Sequence, residues 1–276
     1  MVIGIAVHLR EINNVIPFVK RSRGSMYTNA NPFPCLAGVL VSPYETFKAI
    51  GQKPTLITPI LTAILIAIIG NAFYYWRVGP DWDQRVRARI ESHRVTTGET
   101  MSSDQVAQQV ATAKMFGNFF VLLPAISIPV FCLAIAGLYL LAFGMAFLKA
   151  PPFKTILSVV AWSEAAIKLV GVPMIMIVLL AVDRQELNKL DPASSKPLKS
   201  NLSILLPEGF SPTIKSLAAS LDIFTIWFLV LLTIGFAGIA GLAPRNIATS
   251  KIAILVFGMW LTWVLIKACL VFLFGY

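Results

Sequence analysis

Charge is scarce in this sequence: 13% of its 276 residues are Asp, Glu, Lys or Arg, about half the share of an ordinary soluble domain. With 57% hydrophobic residues and a mean hydropathy of +0.77, that shortage excludes a soluble enzyme, a disordered chain and a coiled coil, and leaves a protein of the bilayer. Histidine is nearly absent, and the two present, His8 and His93, lie far apart in soluble segments. The three cysteines, Cys35, Cys132 and Cys269, form no CxxC pair and no disulfide framework, and two of them sit in apolar runs where they read as small core hydrophobes. No nucleophile elbow, Walker loop, HExxH or Cys/His metal set occurs, so no catalytic residue, metal or cofactor is expected and an enzyme is the least supported class. Acidic residues are also few, 13 against 23 basic ones, for a net charge of +10. In a soluble chain that balance would suggest nucleic acid; beside so much apolar sequence it points to loops meeting anionic headgroups, and no nucleic-acid partner is expected.

What the chain has instead is long apolar runs. A hydrocarbon core about 30 Å thick needs about 20 apolar residues in helix, and only a helix or a closed barrel satisfies its own backbone there. Five segments qualify, at about 55–76, 119–148, 153–182, 221–243 and 252–274. The first carries no charge and ends in Tyr74, Tyr75 and Trp76, aromatics suited to an interface. The second is so long that it must tilt or bend, with Pro124 and Pro129 as the places to do so. The expected fold is therefore an all-α integral membrane protein, a bundle of five transmembrane helices with the N- and C-termini on opposite sides. Its divisions are an N-terminal tail over 1–41, within which Met26 is a candidate for the true start, and a membrane domain over 42–276.

The connections alternate in length. Those between spans two and three and between four and five are short, whereas Arg77 to Asn118 and Asp183 to Ser220 form long loops on the other face. Lys and Arg number ten on the N-terminal face and eleven on the other, so the raw count does not orient the chain. The rule weighs short loops, and both short loops lie on the N-terminal face, which places the N-terminus in the cytoplasm. In the first long loop charges alternate with Val86, Ala88 and Ile90, and Ser102 with Gln105 reads as a capping box opening a helix that runs on into the second span. In the second, Leu202 to Leu206 reads as a surface segment and Ser211 with Pro212 as a helix start. The sequon at Asn201 is taken as chance.

Charges inside the spans are the candidate functional residues, because each costs about 2.5 to 3.5 kcal/mol at mid-membrane on insertion scales. Glu164 and Lys168 stand four apart with Glu first, the order that pairs on one helical face. The sharper reading is a proton or ion relay; the blander and favoured one is a self-paired bridge. Asp222 begins a span, where it serves as a cap complementing the helix dipole, and Lys267 lies where it snorkels or finds a partner such as Asp222. Gly235, Gly238 and Gly241 recur at every third position, and Ala142 with Ala146 repeats a small-xxx-small spacing, which suits close helix approach within the bundle or, as the sharper alternative, between copies.

Three stretches together resemble a known family. The lead-in Ser42-Pro-Tyr-Glu-Thr-Phe-Lys-Ala-Ile50 followed by Lys53 and Pro54, the turn Lys149-Ala-Pro-Pro-Phe-Lys154, and Leu221-Asp-Ile-Phe-Thr-Ile-Trp227 with the later Trp260 and Lys267 are similar to bacterial members of the Yip domain family, named for Ypt-interacting protein. The resemblance covers roughly Ser42 to the C-terminus and implies five spans with a cytoplasmic N-terminus, and the membrane expected from it is a bacterial plasma (inner) membrane. It associates eukaryotic relatives with Rab-type GTPases and vesicle traffic, and it assigns no activity to bacterial ones. Together these readings favour a membrane scaffold or adaptor whose partners are the lipid bilayer and other membrane proteins or further copies of itself. The alternative is a small transporter or channel built on Glu164 and Lys168.

Overall fold

Each of the five apolar runs becomes one long helix. The structure, a computed structural model, describes residues 32–79, 101–147, 150–183, 201–206, 210–240 and 247–274, together with Asp83, Val86, Arg87, Ile90 and Glu91. The tail before residue 32 with Met26, both histidines, Ala88, Lys149, Gly241, Arg245 and the chain end lie outside the described residues. In chain order the helices are α1 (Pro32–Val41), α2 (Pro43–Gln52), α3 (Ile57–Val78), α4 (Ser103–Phe120), α5 (Pro124–Phe147), α6 (Phe153–Ala181), α7 (Pro212–Ser220), α8 (Ile223–Ala240) and α9 (Thr249–Phe274), with a short 3-10 turn at Leu202–Leu205. Five of them, α3, α5, α6, α8 and α9, are long and apolar enough to cross a membrane. Among the described residues there is no strand, only an isolated bridge between Asn201 and Asp222.

Local chemistry sets the ends of these helices. Pro43 has no N–H to continue α1 and forces Ser42 out of the helical region, so α1 and α2 meet at a corner. Gly79 ends α3 in a left-handed turn at φ +49, its N–H returning to the Tyr75 carbonyl at 3.0 Å. The expected capping box opens α4: Ser102 accepts from the Gln105 N–H at 3.3 Å and Gln105 accepts from the Ser102 N–H at 2.8 Å. Ser211 caps α7 as its sequence suggests, accepting from Ile214 at 3.4 Å. One expectation fails in detail: α4 does not run on into the second span. It stops at Phe120, a turn follows, and the span begins anew at Pro124 because that proline cannot donate to the carbonyl four residues back.

The bundle is arranged around α6, in which every residue from Thr155 to Ile167 is buried. A stretch of helix buried on all sides is the core of its bundle rather than a face of it, and the half of α6 beyond it opens outward at Met174, Ile177 and Leu180. α3 runs parallel to it at a nearly constant register, Thr55 meeting Ser158, Gly70 facing Val172 and Arg77 reaching Leu179. α8 runs antiparallel to it, with Gly235 against Val159 near one end and Gly171 against Phe224 near the other. α5 closes the next side, its Phe131, Tyr139 and Phe143 stacking on Phe228 and Phe236 of α8. α9 lies outermost, burying only the stripe Ile252, Val256, Val264 and Ala268. α1 and α2 wedge into one end, where Cys35, Leu36, Val39, Phe47 and Ile50 join the same core.

Candidate functional site

Glu164 is the twelfth residue of the 29 in α6, about 16 Å along the helix from its start and so near the middle of the membrane. Its side chain is 11% exposed and that of Lys168 34%, and the ammonium Nζ lies 3.1 Å from Glu164 Oε1. The sequence expectation of an i, i+4 pair therefore holds in geometry. Since both charges come from one helix, each neutralises the other without help from a neighbouring span. Cys132 of α5, fully buried, lies within electrostatic range of both. The adjacent Ser163 is buried, and its hydroxyl has no hydrogen-bond partner among the described residues.

Asp222 acts as the cap its position suggested. Its Oδ1 accepts from the N–H groups of Phe224 at 2.9 Å and Thr225 at 3.1 Å, satisfying two donors that a helix start leaves open. Lys267 is half-buried on α9, the helix packed beside α8. A bridge between Asp222 and Lys267 is not among the ion pairs of the described residues, which are Lys168 with Glu164 and Lys114 with Asp83. Of the four candidates the fold thus brings Glu164 and Lys168 together, while Asp222 caps α8 and Lys267 stands on the neighbouring α9.

Five hydrogen bonds between the helices and their ends had no sequence forecast. The Asn71 amide donates to the Phe120 carbonyl at 3.1 Å, the group that Pro124 leaves without a helical N–H. Arg77 at the end of α3 donates from Nε to the Leu179 carbonyl at 3.0 Å and from Nη2 to that of Val182 at 2.7 Å, putting a cation on the negative end of α6. At the opposite end, the Ser158 hydroxyl donates to the Thr55 carbonyl at 2.8 Å and Trp162 Nε1 to the Thr55 hydroxyl at 3.1 Å. Asn71 is the only carboxamide in its span, which was a signal; its partner, a carbonyl far along the chain, was not visible.

The glycines resolve the question of close approach. A Cβ on Gly238 would sit 3.1 Å from the Tyr44 carbonyl and 3.2 Å from the Lys48 nitrogen, and one on Gly235 would meet Val159 and the Phe47 ring. Both therefore admit α2 and α6 to the surface of α8, a packing within the bundle. Ala146 is exposed and Gly137, Gly144 and Gly258 face open space.

The described residues thus form a five-span helical membrane protein with an internally neutralised charge pair at its centre. Comparison with curated proteins and with solved structures gave no match. The sequence model of the Yip1 domain matches residues 37–271, almost the whole of the packed unit, and the chain belongs to the Yip1 domain family.

Proposed function

We propose that the protein is a membrane scaffold or adaptor rather than a catalyst, set in a bacterial plasma membrane with its N-terminus in the cytoplasm. The observation that carries this reading is the Glu164–Lys168 pair: the charges best placed for intramembrane chemistry are satisfied by each other, Glu164 inside the fully buried stretch of α6 and Lys168 at its edge. A pair that neutralises itself needs no ion or substrate to be tolerated. Scaffolding then falls to the surfaces, on which α3, α5 and α9 present large apolar side chains. Crosslinking in native membranes tests it: recovery of defined membrane-protein partners, or of a second copy, supports the adaptor, and recovery of lipid alone counts against it.

The second reading is a transporter or channel, favoured by one detail: Lys168 keeps a third of its side chain accessible while Glu164 does not. Solute or proton flux in liposomes that disappears with Glu164→Gln would establish it. Flux unaffected by that change, or none, returns the pair to a structural role.

A further inference from the structure

The segment ahead of the first span exposes an apolar face. α1, Pro-Phe-Pro-Cys-Leu-Ala-Gly-Val-Leu-Val, contains no charged, hydroxyl or carboxamide side chain. One face, Cys35, Leu36 and Val39, is buried in the bundle. The opposite face, Phe33, Ala37 and Val41 at the helical spacing of four, is open, with Phe33 74% and Val41 85% exposed. A helix facing water would carry polar residues there. Ten residues rise only about 15 Å, half the hydrocarbon thickness, so α1 cannot cross and is confined to one leaflet.

Its surroundings fit that leaflet. α1 packs beside α3 and α6, and α3 too exposes an apolar row, Ile57, Leu61 and Leu65, in its first turns. At the end of the bundle where α1 packs, the described charges are Glu45, Lys48, Lys53, Lys154 and Lys251, four cations to one anion, and none of these lysines has an ion pair among the described residues. Lys53, Lys154 and Lys251 are exposed. An exposed apolar face at the end of the bundle that carries these ammonium groups is complementary to a lipid with acyl chains and a phosphate.

We propose that α1 and α2 form a membrane-embedded hairpin that binds anionic phospholipid in the leaflet on the N-terminal side. The open face of α1 lies among acyl chains, α2 floats at the headgroup level with Phe47 anchored against Gly235, and Lys53, Lys154 and Lys251 meet the phosphates. This holds for a scaffold and for a transporter alike.

The test uses the full chain with Cys35, Cys132 and Cys269 replaced by alanine, and Phe33→Cys or Val41→Cys carrying an environment-sensitive fluorophore. It is reconstituted into vesicles of phosphatidylcholine with or without phosphatidylglycerol, and cooperative thermal unfolding in detergent verifies the fold of each variant. Both labels should emit in the blue and be quenched by brominated lipid but not by aqueous iodide, the reverse of a label on Asp104→Cys. Brominated phosphatidylglycerol should quench more than brominated phosphatidylcholine, and that preference should fall severalfold in the K53Q/K154Q/K251Q variant and at high salt. Iodide quenching equal to that at Asp104→Cys overturns the proposal and makes the face a site for a protein partner. Equal quenching by the two brominated lipids overturns its anionic specificity.

Discussion

Pro124 removes the N–H that the Phe120 carbonyl would accept in a continuing helix; that carbonyl accepts instead from the Leu123 N–H at 3.3 Å and from the Asn71 amide of α3 at 3.1 Å. Asn71→Leu leaves that carbonyl with the Leu123 N–H alone, so unfolding in detergent should show a loss of about 0.5–1.5 kcal/mol; an unchanged midpoint would mean that the turn satisfies itself. The charge pair predicts non-additivity. Glu164→Gln strands a half-buried ammonium and should cost more stability than Glu164→Gln with Lys168→Met, up to the roughly 3–5 kcal/mol typical of a broken buried pair, less what Lys168 regains through its open third. A double-mutant cycle measures the coupling, and a coupling near zero would mean that the pair contributes nothing. Outside the spans, burial pushes the Cys35 thiol above its ordinary pKa. Its thiolate fraction at neutral pH is accordingly depressed, and a water-soluble maleimide should label it slowly until the protein unfolds.

Among the helices, α8 depends on its missing side chains. Gly238 has the backbone of α2 against it at 3.1 Å and 3.2 Å, and backbone cannot rotate away as a side-chain tip can. Gly238→Ala should destabilise by about 1–3 kcal/mol through overpacking. Gly258→Ala on α9 meets nothing within 4 Å and should be neutral or stabilise by up to about 1 kcal/mol through helix propensity. Thermal midpoints of the two variants compare them directly, and equal losses would refute the close approach of α2 to α8. The same contact explains how two ten-residue helices, too short to be stable alone, hold their place: Thr46, Phe47 and Ile50 are buried against the bundle.

On the scale of the whole molecule, five crossings carry the chain from one face to the other, and the orientation proposed here puts the long connections outside. A single cysteine replacing Ser194 should then be modified from outside intact cells; modification from the cytoplasmic side alone would invert the arrangement. Arg77 and Thr55 make α3 and α6 a rigid parallel pair bonded at both ends, whereas α9 holds on by one apolar stripe. Local opening should therefore begin at α9, and hydrogen exchange should find its amides less protected than those of α6.

The sequence alone determined the five spans, because a bilayer demands a one-dimensional signal of about 20 apolar residues that needs no knowledge of neighbours. It also determined what acts within a turn or two of helix: the Ser102–Gln105 box, the Ser211 and Asp222 caps, the bend at Pro124 and the Glu164–Lys168 pair. The short family motifs, spread along the chain, carried the Yip resemblance. Only the tertiary structure decided that α6 is the central helix, that Gly235 and Gly238 admit α2 and α6, that Asn71 serves Phe120, and that α1 packs with the spans while belonging to what reads as a tail. Helices apolar on every side carry no period to say which face turns inward, and in lipid no hydrophobic stripe is needed to distinguish a core from a surface. Neighbour choice then rests on shape, on small residues and on a few buried donors finding distant carbonyls, all of which are properties of the packed bundle.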